Sequence, residues 1–217
     1  MVTAIAVQPA GTAEGGHAPA GALALGPSAL AWMWVRPLPV PDLLRASDLG
    51  LTVWQTLLRD GILRHVWGDI AIPADRAETA EIRATSAQPL VPLRGVVGRA
   101  AAVWVHTGGQ RPARIDVLVA PRARRPDPHP GRVTHECALP DGDVVGVGPL
   151  RVTTVERTAV DVARWAPAAA AGSLIARLER CAGLDPARAV RLLADLPGHP
   201  GIRQARAALA AIGTGGS

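Results

Sequence analysis

The sequence predicts an α+β fold: an N-terminal winged helix-turn-helix followed by a mixed α/β domain that ends in a helical segment. Three observations predict it. Residues 39–75 carry helix-start signals, a tight turn and a hairpin signal in that order. Between Gly98 and Thr154, short β-branched runs are separated by Gly and Pro. From Thr154 onward, apolar residues recur at helical spacing.

Taken in order, Pro41-Asp42 opens a first helix with Leu43 and Leu44 apolar, and Gly50 closes the turn after it. Thr52 begins T-x-x-Q, a capping box with Gln55 at its third position. A second helix is therefore expected to about Arg59, ended by Asp60-Gly61. "ILRHVWGDIAI" then sets two β-prone runs on either side of Trp67-Gly68-Asp69, a hairpin signal. "AETAEIRATSAQP" has helical composition, and "GRAAAVWVHTG" (Gly98 to Gly108) reads as a short buried helix with Trp104 on its apolar face. "ARIDVLVAP" is a strand by its alternation; "VTHECAL", "DVVGVG" and "LRVTT" are further strands. Helices are expected at roughly 154–165, 168–182, 186–195 and 200–212.

This order divides the chain into a low-complexity leader over 1–38, the winged unit over 39–75 and an α/β domain over 76–217. The leader is rich in Ala, Gly and Pro and is expected to be disordered. Its run from Ala18 to Val35 is free of charge, but Gly26-Pro27 interrupts it and no basic segment precedes it. A membrane span or secretory signal is therefore not expected, and a cytoplasmic protein is. The two cysteines, Cys137 and Cys181, form neither a disulfide framework nor a CxxC pair. All 23 basic residues are arginine, and Tyr and Phe are absent, which reflects coding bias. The net charge of +5 is modest, so nucleic acid is a permitted partner rather than a demanded one.

Several clusters could carry chemistry. In "VTTVERTAVDVAR", Thr153-x-x-Glu156 is a capping box, and Arg157/Asp161 and Asp161/Arg164 stand at helical ion-pair spacings. With Thr158 these residues read as a structural motif, because no nucleophile stands beside a base. Gln55, Thr56 and Arg59 on the second helix, with Arg64 and His65 on the hairpin, are the candidate DNA-reading residues. Pro41 to Pro73 holds three Arg against four Asp, a poor balance for a phosphate surface. Arg122, Arg124 and Arg125 form a basic patch in a proline-rich loop, and a solvated loop is the favoured account of it. His129, His135 and Cys137 lack the second ligand pair of a zinc site, and Asp116 lacks a second carboxylate, so no metal and no cofactor are expected. Strand alternation puts His135 and Cys137 on one face, with Cys137 as a buried small hydrophobe.

With these motifs placed, the chain resembles the AbiEi-type antitoxins of type IV toxin–antitoxin systems, particularly actinobacterial relatives. Three segments carry the resemblance: "LGLTVWQTLLRDGILRHVWGDIAIP", "GRAAAVWVH" and, most specifically, "GPLRVTTVERTAVDVAR" with its R-T-x-x-D core. It covers about residues 40 to 212 in order. The resemblance implies a non-enzymatic regulator whose winged helix binds operator DNA through Gln55, Thr56, Arg59, Arg64 and His65, and whose C-terminal domain counters a nucleotidyltransferase-like toxin. Two departures stand out: the second helix carries one Arg where the family has several basic residues, and Gly68-Asp69-Ile70 replaces a G-[IV]-Y-like run. Some relatives continue into a nuclease-like domain. The chain ends at Ser217, about where that domain would begin, so a nuclease activity is not expected. The alternative to a DNA-binding regulator is a protein-interaction module that has lost DNA binding.

Overall fold

The computed structural model describes residues 40–196 and 200–213; the leader expected over 1–38, with its uncharged run, lies outside them. The fold is α+β. Among the described residues no helix is long and apolar enough to cross a membrane.

Strand β1 (Leu44–Arg45) leads directly into the one-turn helix α1 (Ala46–Leu49). The helix expected from Pro41 is thus displaced, because Leu44 and Arg45 pair with Ala71 and Ile70 in a sheet. Helix α2 (Leu51–Arg59) starts one residue before Thr52. Gly50 at φ +77° makes the sharp turn from α1, so Leu51 is already helical and the Thr52–Gln55 capping box does not form. Strands β2 (Leu63–Trp67) and β3 (Ile70–Pro73) form the expected hairpin about Gly68-Asp69, where Gly68 takes φ +55°. The small sheet runs β1-β3-β2, antiparallel throughout. Trp54, Leu63 and Ala71 are buried together and fix the inner side of α2 to this sheet.

Helix α3 (Ala80–Ala87) is capped by Thr79, whose hydroxyl accepts from the Ile82 amide. The second sheet comprises β4 (Val96–Val97), β5 (Ile115–Val119), β6 (Arg132–Glu136), β7 (Val144–Val147) and β8 (Leu150–Thr153), in the order β6-β5-β4-β8-β7. It is mixed: β5/β6 and β4/β8 are parallel, β4/β5 and β7/β8 antiparallel. Helix α4 (Arg99–Thr107) packs at its centre with Ala101 to Val105 buried in sequence, as an alanine-rich helix must be to lie between two layers. Trp104 is buried with the core of the sheets and Val103 with the core of the C-terminal helices. Helices α5 (Val155–Trp165), α6 (Ala168–Ala182), α7 (Pro186–Ala194) and α8 (Ile202–Gly213) close the C-terminal part, near the bounds the sequence predicts.

Residues 40–75 and the rest of the described chain share a core. Val66, Ile70 and Ile72 of the hairpin are buried with Ala84, Trp104, Ile115 and Val152. Arg111 ties the hairpin from outside, donating to the Val66 carbonyl at 2.8 Å.

Candidate functional site

The residues singled out by the sequence fall mainly in two places: the outer side of α2 with its hairpin, and the polar cluster built around the start of α5.

On α2, the buried Trp54 turns Leu51, Thr52, Val53, Gln55 and Arg59 outward. Gln55 and Arg59 are exposed and Thr56 half-buried. The cations expected to meet phosphates already have partners. Arg59 Nε lies 3.0 Å from Asp60 Oδ1. Arg64 reaches Glu78 at 2.9 Å and donates its other terminal nitrogen to the Arg76 carbonyl at 2.9 Å. His65 is engaged at both nitrogens: Arg111 donates to Nδ1 at 2.7 Å and Nε2 meets the Gly68 carbonyl at 2.8 Å, a pairing that requires the Nε2–H tautomer. Leu51 is 66%, Val53 49% and Ile62 55% exposed, so this face presents more apolar surface than free positive charge. Arg64 and His65 also border a shallow groove floored by Trp54, Leu58 and Leu63.

The basic loop is exposed at Arg122, Arg124 and Arg125, with Arg122 at φ +61°. Arg125 is held by Glu136, which accepts from its Nε at 3.0 Å and its Nη2 at 2.8 Å.

The segment singled out by the sequence becomes a buried network. Thr154, not Thr153, caps α5, accepting from the Arg157 amide at 3.3 Å. Thr153 is instead fully buried, its hydroxyl 2.7 Å from that of Thr158. Glu156 does not close a capping box and lies beside His106. Arg157 is the hub. It donates from Nε to Asp161 at 3.1 Å, from Nη1 to Asp143 at 2.7 Å and from Nη2 toward Cys137 Sγ at 3.1 Å. Arg164 sits 3.9 Å from Asp161 and donates to the Pro200 carbonyl at 3.1 Å. The side chains of Arg157, Asp161 and Arg164 are at most 5% exposed, so these are buried pairs rather than a pair on a solvated helix face. Burial opposes the charge of Arg157, but Asp161 and Asp143 outweigh it and raise its affinity for its proton. Burial also pushes the Asp161 carboxyl above its ordinary range, against the pull of Arg157, Arg164 and Arg99. The pairing holds the network together while charging its carboxylate remains costly.

Beside this network is a cavity of about 350 Å³ lined by Arg99, Cys137, Arg157, Asp161, Arg164 and Trp165, among others. Arg99 opens α4 at φ +51°, a left-handed backbone that costs about 1–3 kcal/mol in a non-glycine residue. It lies 5.0 Å from the ring centre of Trp165, and so does Arg164. Cys137 is not the buried small hydrophobe expected from its strand: its amide still donates to the Val119 carbonyl at 2.9 Å, but its side chain is half-buried at the end of β6, with Sγ beside Arg157. Asp116 is the partner of His135, Oδ1 to Nε2 at 2.8 Å, and Arg99 Nη1 lies 3.2 Å from the same nitrogen. Among the described residues no group of three potential ligands could hold a metal ion. Each polar group of the R-T-x-x-D segment is thus committed to another protein group, and none is left as a nucleophile with a base.

Sequence reading missed Asp143, Arg99 and Trp165 as members of this cluster. They come from three separate segments, and nothing in their local spacing points to one another.

No family model matches the chain, and no curated protein is similar to it in sequence. A crystal structure of the Rv2827c protein from Mycobacterium tuberculosis is similar over 78% of this chain and 76% of that one, at 18% identity and a TM-score of 0.33. A likeness at that score assigns neither fold nor function.

Proposed function

We propose that the chain is an AbiEi-like antitoxin and transcriptional regulator, whose N-terminal unit is a winged helix-turn-helix that binds operator DNA and whose C-terminal part counters a nucleotidyltransferase-like toxin. The observation that carries this reading is the arrangement of residues 44–73. A short helix, a glycine turn and a second helix are followed by a two-stranded hairpin, and the second helix is exposed along its outer side among the described residues. The R-T-x-x-D segment supports the kinship, and its role is to build the C-terminal core.

The test is affinity for the chain's own upstream DNA as a function of salt. Arg59→Ala combined with Arg64→Ala is expected to weaken binding and flatten the salt dependence, by about 0.9 log units of slope for each phosphate no longer neutralised. Wild-type protein with no salt-sensitive affinity for that DNA overturns the reading.

One observation favours a second reading, a protein-interaction module. Leu51, Val53 and Ile62 are exposed on a surface whose arginines are already paired with Asp60 and Glu78. On that reading the wild-type protein has no salt-sensitive affinity for its upstream DNA, and Leu51→Asp with Val53→Asp in the full chain abolishes antitoxin activity without lowering the melting temperature.

A further inference from the structure

We propose that the cavity between α4 and α6 binds a small organic anion, through a carboxylate or phosphate head. The cavity is about 440 Å³, within the usual range for small-molecule sites, and is separate from the cluster around Arg157. Val103, Leu174 and Pro112 give it apolar walls.

Two residues of its lining carry a buried hydrogen-bond donor that meets no acceptor among the described residues: Trp104 at Nε1 and Arg177 at Nε. Trp104 is 1% exposed, so its indole N–H lies behind the cavity surface and not at the protein's outer surface. Natural structures rarely leave such donors empty-handed. Both groups can only donate, so whatever satisfies them must be an acceptor. Charge narrows the choice. Arg111, Arg177 and Arg180 line the cavity and no acidic residue does. Arg177 makes no ion pair with any described residue, and its nearness to Arg83 disfavours the charge of that buried arginine. A bound water would satisfy an N–H but leave the positive charge uncompensated. An anion does both, and the apolar walls accommodate an organic body that inorganic phosphate lacks.

Gly109 makes room for the arrangement. At φ +77° the loop after α4 closes against the Arg177 guanidinium, where any side chain at 109 would collide with it. The bare glycine leaves the room in which the guanidinium lies beside the cavity.

The experiment is indole N–H NMR of the full chain labelled with 15N-tryptophan, titrated with adenosine monophosphate, hexanoate or inorganic phosphate at constant ionic strength. Trp104→Phe assigns the resonance. The expected result is a saturable downfield shift of the Trp104 signal alone with at least one organic anion, which binds more tightly than inorganic phosphate. A response to the nucleotide but not hexanoate identifies a phosphate head, and the reverse a carboxylate. Arg177→Met should weaken binding roughly 10- to 100-fold, as loss of a charged hydrogen bond does. Arg180→Gln, on the exposed side of α6, tests the same charge without entering the core and should weaken it in the same direction. The proposal is overturned if none of the three probes gives a saturable shift, if all tryptophan signals move together, or if neither arginine variant changes the affinity.

Discussion

Replacing Arg157 with methionine removes the hub of the α5 network while keeping an unbranched side chain of comparable length in its place. The wild-type guanidinium is 3% exposed and serves two carboxylates, Asp161 at 3.1 Å and Asp143 at 2.7 Å. Their fates differ in the variant. Asp143 is 11% exposed at its side chain and can recover water. Asp161 is 3% exposed and keeps only the 3.9 Å approach of Arg164. Stranding a buried charge in this way costs about 3–5 kcal/mol. For a domain of this size that corresponds to roughly 6–20 °C in Tm.

Urea unfolding of both proteins at several pH values measures the loss and identifies its cause. Asp161 already has its carboxyl pushed up by burial, and removing Arg157 raises it further. A carboxyl whose folded pKa exceeds its unfolded value binds more protons when folded, so it lowers stability as pH rises between the two values. The deficit of Arg157→Met is therefore largest at neutral pH and shrinks as Asp161 becomes protonated in acid. Arg157→Met with Asp161→Asn should recover part of the loss, since neither partner then remains a lone charge. A deficit below about 1 kcal/mol, the range of exposed pairs, or one that is flat with pH, refutes the reasoning. Asp161→Ala is expected to act through the same loss of stability. A binding or antitoxin defect in Asp161→Ala protein that melts like wild type would give the motif a chemical role.

Two further outcomes follow from local geometry. Burial holds the His106 imidazole below its ordinary pKa, while its Nε2 meets the Thr153 carbonyl at 2.7 Å. Its contribution is thus complete above about pH 6.5 and is lost as pH falls through the folded value, with a slope of at most about 1.4 kcal/mol per pH unit. In His106→Gln, which keeps a donor but cannot titrate, that part of the acid-side slope should vanish from urea midpoints; an unchanged slope assigns it to other groups. Gly201→Ala should destabilise more than Gly183→Ala. Both glycines have positive φ, which costs an alanine about 1–2 kcal/mol. Only at Gly201 does the new Cβ also meet backbone, 2.7 Å from the Arg164 carbonyl oxygen, whereas Gly183 faces open space. Equal melting temperatures for the two variants would show that the backbone there yields freely.

What was legible in the sequence was whatever depends on neighbours along the chain. The C-terminal helices show themselves through periodicity, and the Gly68-Asp69 turn through the backbone it demands. The spacing of Arg157 and Asp161 announces that they meet, but not what covers them. On a helical wheel they lie opposite the apolar stripe of Val155, Ala159 and Val162, where an amphipathic helix would show them to solvent. They are buried because α5 is packed against α4, α6, α7 and α8 together and has no solvent side along most of its length. The choice between Thr153 and Thr154 as cap has the same origin. Thr153 pairs with Val144 across β7 and β8, which commits its backbone to the sheet and leaves the next residue to start the helix. The cavity beside Trp104 was less visible still: α4 alone reads as a core helix with a buried indole. Its unanswered N–H acquires meaning only when α6, far along the chain, brings Arg177 and Arg180 to the same space.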